Sequence, residues 1–167
     1  MMSPGSFLNL PLLCAAISLA GGCGRTNAPQ TVAAKSKKTV VFVCQHGAAR
    51  SVIAAAWFNK LAAEKRLPYV AIARGAEPQD ALSTATVAGL TKEGISFPAG
   101  KPRALTEAEA AEAVRVVAFC PLPHSAKPTR LETYEVPAPS DGYDQSRDAI
   151  LIHVRALIND LETAAHR

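Results

Sequence analysis

The run Thr39-Val40-Val41-Phe42-Val43 shows no alternation of polar and apolar positions. It is β-branched or aromatic throughout, the pattern of a strand buried on both faces of a parallel sheet. From Ser51 to Arg66 the period changes. Ile53, Trp57 and Leu61 recur at the spacing of one helix face, and Pro68 stops the helix. Tyr69 to Ala73 reads as a second strand. Ala81 to Gly94 reads as a helix with Val87 and Leu90 inward and Gly94 closing its C-terminus. Gly100 to Leu105 is a loop, after which Thr106 and Glu109 form a capping-box pattern for a short Ala-rich helix. Val114 to Phe119 is a third buried strand that ends at Cys120, and Pro121 to Pro128 is a proline-rich loop. Leu131 to Val136 reads as a fourth strand. The last helix runs from Asp144 to Ala165, with Ile150, Val154, Leu157 and Leu161 on one face. Strands alternating with helices predict an α/β fold, a parallel sheet covered on both sides with right-handed crossovers.

The N-terminus breaks this pattern. Met1 to Gly24 contains no charged side chain, and Phe7 to Ala20 is mostly apolar before the small residues that precede Cys23. This reads as an export signal over residues 1–23. Leu19-Ala20-Gly21-Gly22-Cys23 resembles the lipobox of bacterial lipoproteins, which implies cleavage before Cys23 and lipidation of that residue. Ala20 stands where that family usually has Leu, and the usual N-terminal Lys or Arg is missing; a plain secretory signal is the alternative. Residues 24–37 have neither helical nor strand period and read as a flexible tether. The folded domain is expected over residues 38–167. The protein is therefore expected to be exported and held at a membrane by its N-terminus, facing the periplasm or the cell exterior.

Composition narrows the function classes. A chain of 167 residues allows one domain, and 49% hydrophobic against 19% charged residues is enough apolar material for a core. Aromatics are only 5%, so the core is expected to be aliphatic. A net charge of +4 with no Lys/Arg block and few aromatics argues against nucleic acid as a partner. Four cysteines are too few for a disulfide scaffold. His124 and His153 lack the Cys/His spacing of a zinc site, so no metal is expected.

The chemistry concentrates where the first strand meets the first helix, at Cys44-Gln45-His46-Gly47-Ala48-Ala49-Arg50-Ser51. In an open parallel sheet, ligands bind beyond the carboxyl ends of the strands. Here the loop from Gln45 to Ala49 turns backbone N–H groups toward an oxyanion, and the helix N-terminus adds positive potential. The small residues Gly47, Ala48 and Ala49 permit close backbone approach. Arg50 offers a planar fork of donors. That positive field favours Cys44 as a thiolate, placed for in-line attack on a bound tetrahedral anion. Ser51 is placed to hydrogen-bond Cys44 and ease its later departure. His46 either contacts the substrate, tunes Cys44, or is a plain loop residue.

Val40 to Trp57 resembles the active-site strand, loop and helix of low-molecular-weight protein tyrosine phosphatases and their relatives, the thioredoxin-type arsenate reductases. The likeness continues through Ala73-Arg74-Gly75-Ala76-Glu77-Pro78, Gly94-Ile95, Lys101-Pro102-Arg103-Ala104-Leu105, Val116 to Cys120 and the final helix. It implies a four-stranded parallel sheet flanked by helices on both faces, with Cys44 as nucleophile, Arg50 as oxyanion clamp and no cofactor. Three departures stand out. The family usually has a loop-bracing Asn where this chain has Gly47, which predicts a less rigid loop. The family's general acid is an Asp in an Asp-Pro pair before the last helix, and Ala138 occupies that place; Asp141, Asp144 or Glu135 are candidate substitutes. The reductases relay electrons through two further cysteines, of which only Cys120 has a counterpart.

Three functions follow. The first is phosphatase action on aryl phosphates through a phospho-cysteine. The second is arsenate reduction using Cys44 and Cys120, which also calls for a thiol reductant. The third is a non-catalytic oxyanion-binding or redox-sensing lipoprotein.

Overall fold

The structure, a computed structural model, describes residues 37–165. The expected signal, Cys23 and nearly all of the tether lie outside the described residues. The strands are β1 (Lys38–Cys44), β2 (Tyr69–Gly75), β3 (Arg115–Ala118) and β4 (Leu131–Thr133). The α-helices are α1 (Arg50–Glu64), α2 (Thr84–Lys92), α3 (Glu107–Glu112) and α4 (Tyr143–Ala165), with a short 3-10 turn at Pro139–Asp141. The strands form one four-stranded sheet in the order β2-β1-β3-β4, parallel throughout. In β1 the period of two divides an unbroken apolar run between two cores. Val40, Phe42 and Cys44 face α1 and α4, packing with Ile53, Phe58, Ile150, Val154 and Leu161. Val41 and Val43 face the other way and pack with Ala113, after α3, and Val116. β1 lies between β2 and β3 with helices over both faces, so Cys44 ends the most constrained strand of the sheet.

The few aromatics are concentrated rather than absent from the core. Phe42 meets Phe58 edge-on at 5.8 Å and stacks on Phe119 at 6.4 Å, in the layer directly below Cys44.

Two elements depart from the sequence expectation. Helix α2 begins at Thr84 rather than Ala81, because Ser83 is extended (φ −60°, ψ 128°) and caps it, its Oγ accepting from Thr86 N. Its buried face is Thr86, Gly89 and Leu90, with Val87 only half-buried, because the Tyr143 ring lies flat against Gly89. β4 holds only three residues, Leu131–Thr133. As an edge strand it leaves Leu131 49% exposed, and it is tied to the sheet by Glu132 on the buried Arg115 at 3.3 Å.

Candidate functional site

The loop between β1 and α1 is held from outside by its carbonyls. Those of Cys44, Gln45, His46 and Ala48 accept from the N–H groups of Ala76 (3.0 Å), Glu77 (2.8 Å), Gln79 (3.3 Å) and Ser83 (3.0 Å). In a trans peptide the C=O of one residue and the N–H of the next point in opposite directions. Four carbonyls turned outward to the 76–83 segment therefore turn the N–H groups of Gln45, His46, Gly47 and Ala49 to the other side. Among the described residues, no N–H from 45 to 51 donates to a main-chain acceptor. The loop and the open first turn of α1 thus present a set of free donors, the arrangement that binds a tetrahedral oxyanion.

Gly47 makes this turn possible. Its φ is +64°, and a Cβ there would lie 2.7 Å from Gly75 N and 3.0 Å from Gly75 Cα. A Cβ on Gly75 would in turn lie 2.9 Å from Gly47 N. The loop is braced by this backbone-on-backbone contact with the end of β2. The sequence reading expects slackness from the absent Asn; around the loop the structure places main-chain bonds and a close contact between two glycines 28 residues apart in the chain.

Cys44 is 3% exposed at the floor of a cavity of about 370 Å³, which is also lined by Gln45, His46, Ala48, Ala49 and Arg50. Its Sγ lies 3.1 Å from the Oγ of the fully buried Ser51. Arg50 opens α1, and one guanidinium nitrogen donates to the Val136 carbonyl at 3.3 Å, which fixes the fork at the cavity wall. Gln45 and His46 are steered by one residue: Gln45 Nε2 donates to the Glu77 carboxylate at 3.0 Å, and His46 Nδ1 lies 3.3 Å from the Glu77 main-chain oxygen.

The far wall consists of Gln79, Ser83, Ala138, Pro139 and Ser140, none of which the sequence pattern had marked as lining except Ala138. Among the described residues no carboxylate lines this cavity. Asp141, expected as a substitute acid, is exposed, takes a hydrogen bond from Ser140 Oγ at 3.2 Å and stands outside the lining, because the 3-10 turn carries it away. Asp144 pairs with Arg147 at 3.0 Å instead. Glu135 lines a neighbouring cavity of about 510 Å³ on the other side of Arg50, together with Cys120 and Tyr134. Burial pushes the Cys120 thiol above its ordinary range, the nearby Cys44 adds to this, and Arg50 offsets only part of it. Among the described residues no cluster of His, Cys, Asp and Glu is placed to hold a metal ion.

The family model of low molecular weight phosphotyrosine protein phosphatase matches residues 39–129. A search of the curated proteins gave no match. Among solved structures, YfkJ from Bacillus subtilis is similar at 21% identity and a TM-score of 0.69, over 77% of this chain and 97% of that one. A low molecular weight protein tyrosine phosphatase from T. tengcongensis is similar at 21% identity and a TM-score of 0.65, over 74% and 99%. The Corynebacterium glutamicum thioredoxin-dependent arsenate reductase is similar at 20% identity and a TM-score of 0.63, over 77% of this chain but only 63% of its own length. At these identities the likeness establishes the fold.

Proposed function

We propose, from the premise that this chain belongs to the low molecular weight phosphotyrosine protein phosphatase family, that it hydrolyses aryl phosphates through a phosphorylated Cys44. The family's members are cysteine-dependent enzymes, phosphatases or arsenate reductases. The observation that carries the phosphatase reading is the cradle of inward N–H groups, with Arg50 and Cys44 lining the same cavity and Ser51 at 3.1 Å from the Cys44 sulfur. Three equatorial phosphoryl oxygens would take the loop N–H groups and the Arg50 fork, leaving phosphorus in line with Sγ. The thiolate attacks, the aryl oxygen leaves on the opposite side, and water then displaces the sulfur. Ser51 Oγ–H donates to the sulfur as negative charge returns to it.

A second reading, arsenate reduction, rests on Cys120, the one other described cysteine, in the cavity across Arg50. It requires Cys120 to attack an arsenylated Cys44 and form a disulfide. One experiment separates the readings. The domain is quenched in acid after mixing with nitrophenyl phosphate, or after mixing with arsenate, and its peptides are weighed. The phosphatase reading expects phosphate on the Cys44 peptide in the first arm and no cross-link in the second. A Cys44–Cys120 cross-link formed only with arsenate favours reduction. No adduct in either arm leaves simple oxyanion binding.

A further inference from the structure

We propose that His46 is the proton donor to the leaving oxygen, taking the place that an aspartate at position 138 would fill. The proposal rests on the phosphatase reading and names the acid that this reading lacks. Position 138 is Ala, and it sits in the wall of the Cys44 cavity, so the place is present and the carboxylate is not. Of the described residues that line the cavity, only Cys44, His46 and Arg50 carry titratable groups. Cys44 is the nucleophile, and a guanidinium does not give up its proton in a protein. His46 alone can hand one over. It is exposed, at the solvent side of a cavity whose floor is the buried Cys44, which is the side from which a leaving group departs.

The ring is held in one tautomer. Its Nδ1 faces the Glu77 main-chain oxygen, which can only accept, so Nδ1 carries hydrogen and Nε2 is the atom that gains and loses the proton. The bracket is itself fixed, since Glu77 N–H donates to the Gln45 carbonyl at 2.8 Å and its carboxylate takes the Gln45 amide. Glu77 holds the ring through its main-chain oxygen, and Cys44 and Arg50 line the same cavity.

The proton and electron pairs balance. Cys44 sulfur bonds to phosphorus as the bond to the aryl oxygen breaks. The electron pair goes to that oxygen, which takes the Nε2 proton of the imidazolium. The neutral imidazole then accepts a proton from water as that water's oxygen bonds to phosphorus. The sulfur–phosphorus pair returns to Cys44, and the imidazolium is restored.

The test compares phenyl phosphate, a poor leaving group, with dinitrophenyl phosphate, a good one, in the full chain, and reads kcat/KM, which reports the steps up to phosphorylation of Cys44 and leaves out the shared hydrolysis step. His46→Asn keeps an amide donor toward Glu77 and removes the acid. It should lower kcat/KM for phenyl phosphate by about 10²–10⁴-fold, the worth of a general acid, and that for dinitrophenyl phosphate far less. Adding Ala138→Asp to that variant should recover the phenyl phosphate rate. Equal losses of kcat/KM with both substrates would overturn the proposal while the phosphatase reading stands. Absence of any aryl phosphate turnover in the natural protein would overturn both.

Discussion

Gly47 and Gly94 offer a matched pair for testing what holds the oxyanion loop. Both have φ +64°, but a Cβ on Gly47 would lie 2.7 Å from the Gly75 backbone, whereas nothing lies within 4 Å of one on Gly94. Left-handed backbone costs an ordinary residue about 1–2 kcal/mol, and Asn much less. Gly94→Ala should therefore cost about 1–2 kcal/mol and Gly94→Asn only a few tenths. At Gly47 the same substitutions meet an immovable backbone, and overpacking of this kind adds about 1–3 kcal/mol. Gly47→Asn, the residue that the family resemblance leads one to expect, should thus destabilise this chain by about 1–3 kcal/mol, and Gly47→Ala by about 2–5 kcal/mol. With a urea m-value of about 2 kcal/mol/M, a loss of 3 kcal/mol moves the midpoint by about 1.5 M. Urea unfolding of the four variants measures this directly, and phosphate protection of Cys44 from alkylation reports the loop in the same samples. The Gly47 variants should lose that protection and the Gly94 variants keep it. A Gly47→Asn midpoint equal to that of Gly94→Asn, with phosphate protection intact, would refute the backbone brace.

Ser51→Ala should slow the second chemical step selectively: losing a hydrogen bond to a charged sulfur is worth about 1.5–3 kcal/mol, or about 10–100-fold. A burst of nitrophenol followed by a slower steady state would show it, and equal slowing of both phases would exclude the role. The Arg74 guanidinium, bonded to both Glu109 carboxylate oxygens at 2.9 and 3.0 Å, holds that carboxyl below its ordinary range. A lowered carboxyl contributes stability above its unfolded titration range and loses it as pH falls through the folded one. Acid unfolding of Glu109→Gln should accordingly be less pH-dependent below about pH 4.5, and an unchanged acid profile would remove Glu109 from the account. We propose lipidation of Cys23 on the lipobox resemblance alone: Cys23→Ala should then shift the protein from the membrane to the soluble fraction, and the same distribution for both proteins would reject it.

The nucleophile's half of the site is readable in the sequence because it is local. A β-branched run, a cysteine, small residues, Arg-Ser and a helix period follow one another without interruption from Thr39 to Leu61. Each feature is a short-range preference, and the structure keeps them in one strand, one loop and one helix. The bracing half is not local. Gly75, Glu77, Gln79 and Ser83 carry no motif, and they become loop supports only because β2 pairs in parallel with β1, with Cys44 opposite Gly75. The same long-range bonding explains the misplaced start of α2. Ser83 N–H is taken by the Ala48 carbonyl, so the helical pattern from Ala81 is overridden until Thr84. Asp141, read from the sequence as a possible substitute acid, stands outside the cavity lining for a related reason. One residue of difference in a 3-10 turn changes which side chain faces the cavity, and periodicity says nothing about such short turns.

The choice between phosphatase and reductase turns on Cys120. To resolve an arsenylated Cys44, Cys120 must attack as a thiolate, and attack rates scale with the thiolate fraction. Burial raises this thiol above its ordinary range, and Arg50, which faces both cavities, offsets only part of that. Arg50 cannot relieve it much during turnover, because a bound oxyanion neutralises the same guanidinium. No third cysteine is present among the described residues to draw the disulfide outward. Hydrolysis asks none of this of Cys120. It needs a thiolate at Cys44, an oxyanion cradle, a hydroxyl on the sulfur and a proton at the cavity mouth. All four demands fall on residues of one loop and the first turn of one helix, Cys44 to Ser51. The cradle and His46 are steered by the 76–83 segment that braces the loop. Cys120 is then accounted for by its packing against Val41, Val43 and Val116, and its substitution by Ala or Ser should leave aryl phosphate turnover nearly intact.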